Sequence, residues 1–342
     1  MEGNYETVRE RPVAIEKVIY KHNTMVNKSI AFLFIIICLT ACKTKSIDVS
    51  EPPEGYTNNT TLKIAYATGA LKLIENEFPV PDDLKEHKDV IYKTIDSTHL
   101  KLDVYHSKTL AHNTPLIVFV HGGAWKKGDK KNYLRYLVDY AKKGYVTATV
   151  QYRFTPKVTY REMIQDVEDA IRWLKKNAKA YHIDHTKVAT VGGSAGGHLV
   201  LMNAFTNSSH TTAADSLSSK VQAVVNFYGP TDLTTDYARN NTSVTVLIGK
   251  SYTDAPEEYK EASPLFFVSK QAPPILTFHG TLDELVPFEQ ADWLHAALKE
   301  AGATSDYHLL EGWPHTMDAS VKVNAYAQYH MDKFFEKYIP KP

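Results

Sequence analysis

From residue 89 onward the hydrophobic and polar positions follow two patterns in alternation. Residues 89–93 and 100–105 alternate apolar with polar side chains, the period-two mark of strands with one covered face, and the short turn between them predicts a hairpin at a sheet edge. Five later stretches, 116–120, 146–150, 188–191, 221–225 and 275–278, are nearly continuous apolar or β-branched runs, which suit central parallel strands covered on both faces. Between them the period lengthens to that of a helix: about 132–143 closing at Gly144, 160–180 with a stripe of Ile164, Val167, Ile171 and Leu174, 195–206, and 288–301 closing at Gly302. A last strand at 305–310 and a last helix at 319–338 complete the series. The alternation predicts an α/β domain over 61–342, with a mostly parallel central sheet, helices on both faces, antiparallel strands at its N-terminal edge, and ligand sites at the strands' carboxyl ends. One connection, about 231–272, far exceeds the roughly 2–6 residues usual between such elements. Its polar, partly helical content, with Asp236, Arg239, Asn240, Asn241 and Tyr252, predicts a lid-like segment above the sheet.

The N-terminal region follows other rules. Residues 30–41 read IAFLFIIICLTA, twelve residues, whereas a membrane-spanning helix needs roughly 18 or more. A short basic flank, Met25-Val26-Asn27-Lys28, precedes the run and small residues follow it, which is the order of a secretory signal. Its end, Leu39-Thr40-Ala41-Cys42, resembles a bacterial lipobox. That resemblance implies cleavage before Cys42, lipidation of its thiol, and a membrane-anchored lipoprotein of the bacterial cell envelope, periplasmic or surface-exposed. Residues 1–24 form a polar extension that such a signal does not need, which makes Met25 an alternative start, and the polar stretch 42–60 reads as a tether. Cys38 lies inside the signal, so cleavage leaves Cys42 as the only cysteine and no disulfide is expected.

Thirty-nine Lys+Arg balance 39 Asp+Glu, which removes the excess positive charge that nucleic-acid binding needs. There is no H-E-x-x-H pattern, no cysteine cluster and no glycine run at phosphate-loop or dinucleotide spacing, so neither a metal nor a cofactor is expected.

Candidate chemistry sits where the predicted strands end. The strand at 188–191 runs into Gly192-Gly193-Ser194-Ala195-Gly196-Gly197 and directly into a helix, which places a G-x-S-x-G pattern on a strand-to-helix turn. Glycines there let strand and helix approach closely, and the turn pushes Ser194 into the open at a helix N-terminus that favours a developing anion. After the strand at 116–120 come His121-Gly122-Gly123-Ala124-Trp125, where the backbone N–H groups of Gly122 and Gly123, joined by that of Ala195, can converge on an oxyanion. His121 is expected to hold this loop rather than act as a base. The strand at 275–278 leads into a loop with two acids, Asp283 and Glu284, either of which could orient a histidine. His315, in Gly312-Trp313-Pro314-His315, follows both serine and acid at the next strand end, with His198 and His279 as rivals. Trp125 and Trp313, in two of these loops, are the expected substrate-contacting side chains.

Taken together, HGGAW, GGSAGG, YGPTDL (228–233), HGTLDELVP and WPH resemble the α/β-hydrolase superfamily over about residues 85–340. Within it they are most similar to secreted bacterial esterases and lipases of the feruloyl-esterase and carbohydrate acetyl-esterase type, with hormone-sensitive-lipase-like relatives. The resemblance implies an α/β-hydrolase fold and a Ser194, Asp283, His315 triad in that chain order. It favours Asp283 over Glu284 through the D-x-x-V-P loop, and implies a serine carboxylic-ester hydrolase acting on a small-molecule or glycan ester, short-acyl or carbohydrate-linked, with the polar segment at 231–272 expected to favour short acyl groups over long ones. A serine peptidase on the same scaffold and a non-catalytic surface-binding lipoprotein are the alternatives. Where hormone-sensitive-lipase relatives often carry HGGG, this chain has HGGA, which puts a Cβ at the third loop position.

Overall fold

A computed structural model describes residues 48–75, 77–206 and 217–342. The apolar run at 30–41, Cys42 and the first residues of the expected tether lie outside the described residues, among which no helix is long and apolar enough to cross a membrane.

Each run read as a strand forms one: β1 (Leu84–Ile95), β2 (Thr98–Ser107), β3 (Thr114–Val120), β4 (Val146–Val150), β5 (Ile183–Gly193), β6 (Ala223–Phe227), β7 (Ile275–Gly280) and β8 (Ser305–Leu310). They join in one sheet of order β1-β2-β4-β3-β5-β6-β7-β8. The pairs β1/β2 and β2/β4 are antiparallel and the rest parallel. β3 shows why the central strands read as unbroken apolar runs. Leu116, Val118 and Val120 enter the core on one face, while Ile117 and Phe119 enter the core on the other. With both faces dry, successive positions favour apolar and β-branched side chains, and a polar one such as Thr147 is kept where its hydroxyl finds a partner, here the Leu137 carbonyl at 2.9 Å.

The first face is covered by α3 (Tyr160–Lys176), α4 (Ala195–Thr206) and α8 (Glu289–Glu300), and the second by α2 (Leu134–Lys142) and α9 (Val321–Tyr338). The helix expected over 160–180 starts at a capping box, with Glu162 accepting from the Thr159 backbone N–H at 3.0 Å, but stops at Lys176. Residues 178–181 tighten into a 3₁₀ turn, and His182 reverses the chain at φ 58°. β6 starts two residues later than the apolar pattern suggests, because its register against β5 runs from Ala189↔Ala223 to Gly193↔Phe227. That shift carries β6 level with the glycine before Ser194.

The long connection folds as α5 (Asp236–Arg239), α6 (Thr242–Ile248), α7 (Pro256–Glu261) and a 3₁₀ turn at Pro264–Phe267. Leu233, Val244, Leu247, Ile248 and Tyr259 are fully buried in the same core as α3 and α4, so the segment is packed along its length.

The stretch expected to be a tether up to residue 60 is instead part of the folded unit, which begins at Val49. Asn58 caps α1 (Asn59–Ala67) by accepting from the backbone N–H groups of Thr60 and Thr61. The Trp313 indole N–H donates to the Pro53 carbonyl at 2.8 Å, and the Tyr56 N–H to the Gly312 carbonyl at 2.9 Å. Polar composition carries no hint of this, because the attachment uses backbone groups, which every residue has.

Candidate active site

Ser194 stands between the end of β5 and the start of α4 with φ 55°, the left-handed region that non-glycine residues rarely enter. The turn is locked from both sides: the Ser194 N–H donates to the Phe227 carbonyl at 2.9 Å, and the Ser194 carbonyl accepts from the His198 N–H at 3.0 Å. The flanking glycines have a steric reason. A Cβ at Gly192 would lie 2.3 Å from the Gly196 carbonyl oxygen, and one at Gly196 would lie 2.0 Å from that of Val120. Strand and helix therefore meet backbone to backbone, and Ser194 is left at a helix N-terminus, where the first-turn N–H groups have no intrahelical partner.

The loop after β3 lies against this turn, since a Cβ at Gly122 would come within 3.2 Å of the Ser194 Cβ. Gly123, Ala124 and Trp125 follow at φ 123°, 51° and 59°, a left-handed curl closed by the Lys126 and Lys127 N–H groups, both donating to the Gly123 carbonyl at 3.2 Å. The Cβ that distinguishes HGGA from HGGG is thus accommodated in this curl. His121 braces the loop: its Nδ1–H donates to the Gly122 carbonyl at 2.8 Å, its ring stacks on Tyr152 at 4.5 Å, and burial pushes its pKa down.

Asp283 follows β7 in a loop, and its side chain is fully enclosed. One carboxylate oxygen accepts from the backbone N–H groups of Leu285 and Val286, both at 2.9 Å, and the other accepts from His315 Nδ1 at 2.7 Å. His279 Nε2 approaches the second oxygen at 3.2 Å, while also lying 2.9 Å from the Val286 carbonyl. Burial alone would raise this carboxyl; hydrogen bonds from His279, His315 and the Val286 N–H outweigh it and hold the pKa down to about 2. The acid loop is laced to the histidine loop: Leu282 N–H donates to the Trp313 carbonyl at 2.9 Å, and Gly312 N–H to Thr281 Oγ1 at 2.9 Å. Glu284 is exposed and bonded to the Asn59 amide.

The structure thus joins Asp283 with His315 and Ser194 with Gly122. It gives the rival histidines other tasks. His198 is buried with both nitrogens engaged, Nδ1 accepting from the Trp125 indole N–H at 3.2 Å and Nε2–H donating to the Ala262 carbonyl at 2.7 Å. Burial pushes its pKa down to about 4, so it stays neutral and ties the helical insertion to α4. Trp125 and Trp313, expected to meet substrate, are 3% and 1% exposed, and each indole N–H is already taken. Both are packing residues here, because the left-handed curl turns Trp125 inward and the N-terminal segment covers Trp313. Two further aromatic residues stand at the site with no role that the sequence pattern assigns. Tyr237, on α5 of the insertion, is half-buried, and burial, with the Asp283 charge adding to it, raises its phenol. Tyr228, at the end of β6, packs its ring 4.5 Å from that of His315. YGPTDL marks Tyr228 as part of a motif, but nothing in the pattern gives it a task.

Residues 102–298 match the BD-FAE family, more than half of the chain. The chain belongs to that family. With the strand order above, its fold is that of an α/β-hydrolase with an antiparallel N-terminal edge. It is similar to the esterase LipQ of Mycobacterium tuberculosis, 31% identical over 66% of this chain and 56% of the relative. This chain spans about half the length of the curated relatives it matches. Among solved structures, it is similar to a truncated carbohydrate esterase from gut microbiota, 27% identical at a TM-score of 0.65, covering 76% of this chain and 99% of that one. The propionate-bound esterase Est2 of Thermogutta terrifontis is likewise 27% identical, at a TM-score of 0.64, over 76% of this chain and 96% of its own.

Proposed function

We propose that this BD-FAE protein is a serine carboxylic-ester hydrolase with Ser194 as nucleophile, His315 as general base and acid, and Asp283 as the group that orients it. The observation that carries the reading is the backbone of Ser194, held at φ 55° at a helix N-terminus with Gly122 against it. In the reaction, His315 Nε2 takes the Ser194 hydroxyl proton as Oγ attacks the ester carbonyl. The oxyanion is met by the N–H groups of Gly122, Gly123 and Ala195. The imidazolium gives its proton to the departing alkoxide, the acyl-enzyme forms, and water, activated by the same histidine, releases the acid. Asp283 is suited to its part because its carboxyl stays ionised through the working range and fixes the proton on Nδ1. A fluorophosphonate probe should label wild-type protein with one equivalent on Ser194, as read by peptide mass spectrometry; labelling elsewhere would remove Ser194 from the nucleophile role.

The substrate class we infer is a short-acyl or carbohydrate-linked ester. Support comes from the polar insertion beside the acid loop and from relatives named as a carbohydrate esterase and as a propionate-bound esterase. We propose further that Cys42 anchors the chain to the membrane of a bacterial envelope, an inference supported by the order of basic flank, apolar run and cysteine. A C42S variant should then leave the membrane fraction with unchanged turnover.

A further inference from the structure

Tyr228 holds an unusual position. It is a bulky residue at φ 43°, pinned by its N–H to the Phe278 carbonyl at 2.9 Å, and its side chain is buried. Positive φ in a bulky residue is strained backbone that persists only where the surroundings over-determine it. One edge of the residue crowds the glycine before Ser194: a Cβ at Gly193 would lie 3.3 Å from the Tyr228 hydroxyl oxygen and 2.4 Å from that of Tyr133. The ring packs against that of His315, with centroids 4.5 Å apart and planes tilted at 52°. The hydroxyl donates to Asp318 Oδ1 in a short, buried hydrogen bond. Asp318 is three residues past His315, and the chain between them reverses at Thr316 with φ 58°, with the carboxyl at the Tyr228 hydroxyl. Tyr228 therefore touches both the turn that carries the nucleophile and the ring that serves it.

We propose that Tyr228, braced by Asp318, is the positioning residue for His315, holding the imidazole toward Ser194 and stabilising its charged form through the aromatic ring. The inference deepens the esterase reading and rests on it for its kinetic arm. An imidazolium beside an electron-rich ring is stabilised electrostatically, and a phenol that donates its proton to a carboxylate is richer in electrons than a free one. A ring that cannot rotate away also removes orientations in which Nε2 misses the serine hydroxyl. Asp318 is suited to hold rather than to replace Asp283. Burial raises its carboxyl, the Tyr228 bond and the His315 charge act against that rise, and the other titratable groups facing it are the buried phenols of Tyr133 and Tyr136. The two carboxyls near His315 are thereby driven in opposite directions, Asp283 down and Asp318 up.

The test compares Tyr228→Leu, which removes the ring, with Tyr228→Phe, which keeps the ring and removes the bond to Asp318. With p-nitrophenyl acetate, Y228L should lower kcat about tenfold or more with KM nearly unchanged, and should move the acidic limb of the rate profile about half a pH unit lower. Y228F should keep the limb in place and lose only about threefold in kcat, and D318N, which keeps an acceptor for the phenol, should recover most of what D318A loses. A Y228L enzyme that loses melting temperature but keeps the wild-type limb and kcat per folded molecule would overturn the proposal. A second arm needs no turnover. In an S194A background, the downfield proton held between His315 Nδ1 and Asp283 should shift or broaden in NMR spectra of the Y228L double variant and remain in place with Y228F. An unmoved resonance in both would overturn the proposal whatever the substrate, whereas failure of S194A itself to abolish hydrolysis would strike the esterase reading alone.

Discussion

The loops leaving β3 and β5 and the loops leaving β7 and β8 build the two halves of the site by different means. The first half is made of backbone. Glycines at 122, 192 and 196 let main chain approach main chain to distances that no Cβ would allow, and the chemistry offered is N–H groups and one strained serine. The second half is made of side chains: Asp283 gathers two backbone N–H groups and two imidazoles around one buried carboxylate. A half built from steric exclusion admits an added atom only if backbone moves, while one built from hydrogen bonds keeps its shape under isosteric exchange and loses the charge that the exchange removes.

Five substitutions sharpen that contrast, in order of expected effect on turnover. S194A and H315A should each reduce kcat for p-nitrophenyl acetate by on the order of 10⁴ or more, since each removes a member of a unit that acts together. More than a tenth of wild-type turnover in either variant would break the assignment. D283N should lose up to about 10⁴-fold, still less than S194A, because the loop geometry persists while the histidine loses the anion that fixes its tautomer. The same exchange has a thermodynamic reading. The native carboxyl is held below its unfolded value, so its stabilisation is complete above about pH 4 and disappears as pH falls toward about 2. D283N should therefore cost about 2 kcal/mol at pH 7 and almost nothing near pH 2, measured by urea denaturation. G122A should cost about tenfold in kcat and also lower the melting temperature, because its added methyl meets the Gly193 carbonyl oxygen at 2.8 Å and the Ser194 Cβ at 3.2 Å, so backbone must move to admit it. If D283N proved as severe as S194A, or G122A proved silent, the division between a rigid backbone half and a graded side-chain half would not hold. The smallest effect belongs to E284Q, whose turnover should stay within about twofold of wild type, since Glu284 is exposed and bonded to Asn59.

The substrate inference bears on the same comparison from above. Across acetyl, butyryl, octanoyl and lauroyl p-nitrophenyl esters, kcat/KM should fall, since an apolar tunnel that gained about 0.8 kcal/mol per methylene would need an apolar wall. A rise toward lauroyl would point to a lipase.

The backbone half is legible in the sequence and much of the side-chain half is not. Glycine spacing on a strand-to-helix turn has a steric cause that is local, so Gly192, Ser194 and Gly196 can be placed from their spacing alone. Strands β3, β4 and β7 are equally plain, because burial on both faces favours apolar and β-branched residues, threonine among them, at successive positions. The pairing of Asp283 with His315 spans 32 residues, and its preference over Glu284 comes only through resemblance to a known loop. The Tyr228 bond to Asp318 spans 90 residues and leaves no periodic trace. The tryptophans mislead for a related reason. A loop position says that a side chain leaves a strand near the site, but not which way it turns, and three consecutive positive φ values send Trp125 into the core.

The clasp between Pro53, Tyr56 and the loop of Gly312 and Trp313 bears on how the protein can be cut. A soluble version trimmed at residue 60, where polar composition suggests a safe boundary, would take away the acceptor for the Trp313 indole and uncover the loop that ends at His315. Start sites before Val49 keep that cover, and a protease that nicks between Tyr56 and α1 would free the same loop while sparing every residue that carries the chemistry.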